Sequence, residues 1–416
     1  MPKSKIKLFL FDRDSSLIDR NNQLFNPDIM IPFLKEVTRY YPWGIVSTGG
    51  SEVNFCPGVA AIKAAVGAIN TCAYPSLGSG NSSTLRAMLQ GDSPAITQIE
   101  IQIDYPADLL ISEDQKKKLA NDLLFQALIQ GEIDSKGTIN LSIPVPRTDN
   151  EYKIQVKVPA NSTFELKLGN TRLRMNTLNW LNARNLHGGG DNKLLMAIEA
   201  MGQLGLKLKL TDELKRLGIE ALETPPDFRE LAPNEVLMLD DKKGVYDLMA
   251  AAGFQAIRAD TPEANFLPES EEEPPVRNTY LNHLTTHLGY ESLTEFKASS
   301  SIKELNQLLA GYLEERTKDT RQYQSGFAGL FQKSLLQKEK AVQAMKLALV
   351  DPEETKDLME HLNVLRQGEL GKGIRAFVKA GKANDIIGYP VHTVTEFIQA
   401  LSAQAKRLTA GPGNIS

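Results

Sequence analysis

Cysteine is nearly missing from this chain, with Cys56 and Cys72 the only two among 416 residues. Two thiols cannot build a disulfide framework, and their spacing fits no zinc motif. Free thiols in a reducing compartment are the expectation. An excess of charge of either sign is missing too: 47 basic against 51 acidic side chains leave a net charge of −4. Nothing global therefore draws the chain to nucleic acid or to an anionic membrane. No apolar stretch approaches the length of a membrane span. The run Leu8 to Phe11, behind a basic start, is also too short for the hydrophobic part of a signal peptide. A cytoplasmic chain without a cleaved signal is expected, with signal-independent secretion the other route. A glycine-rich phosphate loop of the P-loop or dinucleotide-binding type is likewise lacking.

What is present is the material of a globular protein, 42% hydrophobic and 24% charged, long enough for two or three domains. Ile6 to Phe11 reads as a short buried strand. Asn26-Pro27 signals a helix start, with Asn26 as cap and proline at the first helical position. Trp43 to Val46 is a second buried strand, stopped by Gly49-Gly50. From 51 to 187 the texture changes. Pro57 to Ile69, Ser83 to Leu89 and Glu113 to Gln130 look helical. Ile99 to Ile103, Ile139 to Val145, Tyr152 to Val158 and Thr163 to Leu168 alternate like half-buried strands. An antiparallel sheet carrying one or two helices is predicted there.

Strand and helix alternate again from 188 to 262. A helix starts at Asp191, a charged one spans Asp212 to Leu217, and Val236 to Leu239 is a buried strand. A helix then ends at Gly253 before a short strand, Phe254 to Ile257. Thr261 to Val276, with four prolines and five glutamates, is a solvated linker. The remainder, 277–416, reads as an all-α domain. Its apolar stripes run through Val342, Met345 and Leu349, through Leu358, Leu362 and Leu365, and through Val394, Ile398 and Leu401. Asp351-Pro352 is a helix start, and Gly368 to Gly373 is a break.

Chemistry concentrates at strand ends. Phe9-Leu10-Phe11-Asp12-Arg13-Asp14-Ser15-Ser16 delivers two carboxylates, two residues apart, to the carboxyl end of an apolar strand. Open parallel sheets bind ligands at that end. One carboxylate there can attack phosphorus while the other handles the leaving group's proton. Trp43-Gly-Ile-Val-Ser-Thr-Gly ends the next strand on hydroxyls. Val236-Leu-Met-Leu-Asp-Asp ends a third on paired acids, the hard oxygen donors that suit magnesium.

These three segments, in this order, resemble the motifs of haloacid-dehalogenase-superfamily phosphatases over roughly 1–50 and 185–260. The resemblance implies an α/β fold, a doubly wound parallel sheet of 1–50 and 188–262, with an inserted α+β cap of 51–187. The helical domain of 277–416 lies outside it. It implies Asp12 as nucleophile and Asp14 as general acid/base. Thr48 would contact the phosphoryl group, with Ser47 and Gly49 beside it. Mg²⁺ would be held by Asp12, Asp241, Asp240 and the carbonyl of Asp14. Lys193 fits the lysine expected at a helix start, with Lys209 its competitor. Val245 stands where an acid or Asn is usual, and Asp247 is the nearest replacement. The implied activity is hydrolysis of a phosphomonoester, on a small molecule or a phosphoprotein, through an aspartyl-phosphate. The rival expectation is a non-catalytic interaction protein that keeps the fold as scaffold and binds a partner through its helical domain. The layout of core, insertion and helical tail is similar to that of bacterial effector proteins. His283 and His287 have the i, i+4 spacing of a metal pair, but no third ligand is evident, and helix-surface histidines are expected.

Overall fold

The computed structural model describes residues 5–47, 56–67, 100–104, 112–116, 132–134, 136–144, 149–161, 163–186, 191–261, 279–322, 328–350 and 358–409. The helix expected at Ser83 to Leu89, the start at Asp351, most of Glu113 to Gln130 and the linker from Pro262 lie outside these residues. The chain divides into two compact units, Met1–Gly289 and Tyr290–Ser416.

The described strands of the first unit are β1 (Leu8–Phe11), β2 (Trp43–Ile45), β3 (Glu100–Asp104), β4 (Glu132–Ile133), β5 (Thr138–Pro144), β6 (Glu151–Lys157), β7 (Thr163–Leu168), β8 (Thr171–Asn176), β9 (Leu206–Leu208), β10 (Ile219–Glu223), β11 (Arg229–Leu231), β12 (Val236–Asp240) and β13 (Gln255–Arg258). Its helices are α1 (Pro27–Tyr40), α2 (Pro57–Val66), α3 (Thr177–Leu186), α4 (Asp191–Gln203), α5 (Asp212–Arg216), α6 (Lys243–Ala251) and α7 (Tyr280–His287). The class is mixed α/β, built on a parallel sheet of order β13-β12-β1-β2. Every residue of β1 and β12 is buried, which is why both read as continuous apolar runs rather than as alternation. Phe9 pairs with Trp43 on one side and Leu237 on the other. The chain thus leaves β1 toward β2 and later returns on the opposite side as β12 and β13. Strand order reverses between β1 and β12.

The expected antiparallel layer is two sheets. One has the order β3-β6-β5-β4 and the other β10-β8-β7. β10 comes from beyond the expected insertion and pairs antiparallel with β8. Leu168, Leu173, Met175 and Trp180 share one hydrophobic core with Leu8, Leu10 and Met238 of the parallel sheet. The boundary expected at 187 therefore falls inside a common core. Gly218 makes the β10 pairing possible. Its φ is +93°, and a Cβ there would stand 2.7 Å from the Trp180 backbone nitrogen.

Two local readings change. Asn26 sits in the left-handed region and places no side-chain cap on α1; its carbonyl accepts from Ile29 and Met30 instead. α7, expected with the helical tail, belongs to the first unit. The buried carboxylate of Asp260 accepts from the Thr279 backbone N–H (2.9 Å) and hydroxyl (2.6 Å) and from the Tyr280 N–H (3.0 Å). An acceptor charge at a helix N-terminus satisfies donors that the helix leaves unpaired. Asp260→Ala should lose about 2 kcal/mol of first-unit stability. Both tryptophans, Trp43 and Trp180, are in that unit, so urea unfolding followed by their fluorescence checks it directly.

The second unit holds α8 (Leu293–Gln322), α9 (Ala328–Val350), α10 (Leu362–Leu365), α11 (Gly368–Lys379), α12 (Lys382–Ile387) and α13 (Val394–Thr409) around its own core of Leu305, Met345, Ile374 and Phe397. The break expected at Gly368 to Gly373 is instead the first half of α11. Two of its glycines serve close approach: a Cβ on Gly371 would fall 2.2 Å from the Arg366 carbonyl carbon, and one on Gly373 would fall 3.3 Å from the Leu308 side chain. No helix among the described residues is long and apolar enough to cross a membrane.

Candidate active site

Because β1 and β12 are parallel neighbours in register, their carboxyl ends bring acids together. Phe11 pairs with Leu239, so Asp12 stands beside Asp240, and the Asp12 N–H donates to the Leu239 carbonyl at 2.8 Å. Carboxylate oxygens of Asp12, Asp240 and Asp241 lie within 4.8 Å of one another, all three residues buried. The place is the reversal of strand order, where open α/β sheets form their crevice.

Lys193 completes the cluster. It lies in the first turn of α4 and is 3% exposed. A cation at a helix N-terminus opposes the helix dipole, so its position needs another cause. The carboxylates supply it. Its ammonium is hydrogen-bonded to Asp12, donates to the Val46 carbonyl at 2.8 Å and stands 3.2 Å from Asp240 Oδ2. Burial alone would lower its pKa, but Asp12 and Asp240 outweigh that and hold it above the ordinary lysine value. Lys209 is exposed and takes no part.

Burial pushes the carboxyls the other way. Asp12 is raised to about 6 by burial, against the pull of Lys193 and with the push of Asp240. Asp241 is raised to about 6 by burial and by Asp12. Asp240 is raised as well, again through burial first. Three carboxylates against one ammonium leave uncompensated negative charge. Asp240 Oδ2 has no hydrogen-bond donor beyond its ion pair with Lys193. Crowded hard oxygens of this kind fit a divalent cation.

Asp14 stands apart from this group. Its side chain is 55% exposed, and both oxygens are held by Arg13, from Nε at 2.9 Å and Nη2 at 2.7 Å. Ser47, buried after β2, donates to Asp14 Oδ2 at 3.5 Å. Thr48 and Gly49 lie outside the described residues. The suggestion that Asp247 replaces the missing acid is corrected. Asp247 pairs with Lys243 Nζ at 2.7 Å on the outer face of α6, one turn apart, while Val245 is buried in the core. Helical periodicity turns 245 inward and 247 away.

Three contributors were not among the expected site residues. Ser16 Oγ donates to Asp12 Oδ2 at 3.5 Å. Thr261, after β13, donates from its hydroxyl to the Ser15 carbonyl. Arg13 grips Asp14. Ser16 was legible as the small hydroxyl following the acids, whereas Thr261 is distant in sequence and carries no local signal. Compared with protein-family models, with curated proteins and with solved structures, the chain matches none of them.

Proposed function

We propose that the chain is a Mg²⁺-dependent phosphohydrolase of the haloacid-dehalogenase type, acting on a phosphomonoester through an aspartyl-phosphate. The observation that carries the reading is Lys193: a buried ammonium bridging Asp12 and Asp240 from two parallel strands, with Asp241 alongside. A surface acidic turn would not recruit a buried lysine from a separate helix. An arrangement that holds a nucleophilic carboxylate beside a fixed positive charge suits phosphoryl transfer, where positioning and charge stabilisation dominate.

In this mechanism an Asp12 oxygen bonds to phosphorus as the bond to the leaving oxygen breaks. Asp14 gives that oxygen its proton. Asp14 then takes a proton from water as the water oxygen bonds to phosphorus and the bond to Asp12 breaks. Lys193 keeps Asp12 aligned and offsets charge on the phosphoryl oxygens. Ser47 and Thr48, which follow β2 in the sequence, would supply hydroxyls for those oxygens. Mg²⁺ held by Asp12, Asp240 and Asp241 would neutralise the phosphate and keep the Asp12 carboxyl ionised.

The test is hydrolysis of p-nitrophenyl phosphate with Mg²⁺ and with EDTA. Turnover should need the metal and fall to background in Asp12→Asn. Asp14→Asn should lose about 10²–10⁴-fold, the usual worth of proton transfer, through the water-activating step, because p-nitrophenolate leaves without a proton. A wild type that neither turns over nor is stabilised by beryllofluoride with Mg²⁺ would sink the reading. The helical unit, as a binding module, would then be the place to look for function.

A further inference from the structure

We infer that Arg13 is a positioning residue for the proton-transferring carboxylate, a role that rests on the phosphatase reading above. The guanidinium is buried, 1% exposed, yet it reaches out to hold both oxygens of its half-exposed neighbour. Burying an arginine is costly unless its donors are matched, and Nε and Nη2 of this one are matched by Asp14. A solvated Asp14 would not need it. Two parallel N–H···O bonds fix both the distance and the plane of a carboxylate, which a single contact cannot do.

The frame behind this grip is itself pinned. The Arg13 carbonyl accepts from the N–H groups of Leu17 (3.0 Å) and Ile18 (2.9 Å). Ser15 turns the chain with φ +58°, its N–H donating to the Ile18 carbonyl at 2.9 Å. The Thr261 hydroxyl holds the Ser15 carbonyl from the end of β13. Asp12 faces Lys193 and the other acids, while Asp14, two residues on, is kept out of that cluster by Arg13. The two aspartates thereby stay separate: one is committed to phosphorus and the other to the leaving oxygen. Ser47 approaches the same Asp14 oxygen that Arg13 Nη2 holds, so the carboxylate is aimed toward the end of β2. Without Arg13 the side chain of Asp14 could rotate freely or drift toward the metal ligands.

The experiment compares wild type, Arg13→Met, Arg13→Gln, Arg13→Lys and Asp14→Asn on two substrates. One is p-nitrophenyl phosphate, whose leaving group departs without help. The other is an alkyl phosphate, whose alkoxide must be protonated as it leaves. Arg13→Met should lose kcat/KM, which reports only the step that transfers the phosphoryl group to Asp12, at least tenfold more on the alkyl ester than on the aryl ester. Arg13→Lys should lie between, since an ammonium grips one oxygen at a time. Adding Arg13→Met to Asp14→Asn should cost nothing further, as for residues acting as one unit. Equal losses on both esters, or additive losses in the double variant, would overturn the positioning role. Should Arg13→Met fail to fold, Arg13→Gln, which keeps a polar head in the slot, carries the same comparison. A wild type silent on both esters removes the phosphatase reading first, and this role with it. An active wild type with uniform losses removes this role alone.

Discussion

Replacing Lys193 with methionine should cost the first unit about 3–5 kcal/mol at pH 7.5, the usual penalty for stranding one half of a buried ion pair. Methionine matches the aliphatic stem, so little packing is lost. What is lost is the only cation found against Asp12 and Asp240 among the described residues. The pH dependence carries the diagnosis. In the wild type the Lys193 pKa is raised above its ordinary 10.5. Its stabilisation is therefore fully present below 10.5 and fades only as pH climbs through the higher folded value, so all of it is at stake at pH 7.5. In the variant the Asp12 carboxyl, already near 6 with the lysine present, moves further up, and Asp240, also raised by burial, moves with it. The folded state then binds protons that the unfolded state has released. Stability should recover as pH falls from 8 toward 5, and millimolar Mg²⁺ should restore part of it at constant pH. Urea unfolding read by tryptophan fluorescence at three pH values decides the matter. A loss that stays flat from pH 8 to 5 would mean that Lys193 contributes packing and not charge.

Asp241→Asn should do the opposite, making the metal-free protein more stable while removing its response to metal. Asp241 folds with a pKa near 6 against an ordinary 3.8, raised by burial and by Asp12. A carboxyl raised in this way costs nothing below 3.8 and its full penalty above 6, because the unfolded chain ionises first. The amide avoids that penalty. A gain of about 1–2 kcal/mol is expected at pH 7.5, discounted from the full shift because water reaches part of the group. The gain should vanish near pH 4. In the wild type a metal at a hundred times its dissociation constant adds about 2.7 kcal/mol by mass action, and in the variant this should disappear. Thermal melts with Mg²⁺ and EDTA, at pH 7.5 and at pH 4, separate the two effects. A variant less stable than wild type in EDTA would show that the cluster is held by its own hydrogen bonds and is not waiting for a cation. A site destabilised so that it can work is the pattern expected where binding or catalysis is selected over stability.

The contrast between these two neighbours shows how much was readable in advance. Asp12, Asp240 and Asp241 could be found because each ends an apolar run, and such a run is a local signal. Lys193 was reachable only as one of two candidates, since a capped helix start says nothing about where an ammonium at the end of a long flexible stem will point. Its burial against Val46 and Asp12 depends on α4 meeting the end of a sheet whose paired strands β1 and β12 are 228 residues apart. The same holds for the error at Asp247, where about half a turn of helix separates the buried Val245 from a side chain that points away. Gly371 misled for the reverse reason. A glycine reads as a break by propensity, but the chain turning back from Arg366, five residues upstream, leaves no room for a Cβ inside this helix.

The sequence by itself determined the strand-end carboxylates, the buried parallel strands that carry them and the helical character of the tail, because short-range periodicity and composition suffice for these. Only the tertiary structure decided which lysine joins them, that β10 pairs with β8 across the expected boundary, and that Asp260 ties α7 to the first unit. It also decided that a buried Arg13 holds Asp14 apart from Asp12. Except for that last pair, these are contacts between residues far apart in the chain. All of them depend on desolvation and register, which exist only once the sheet has assembled.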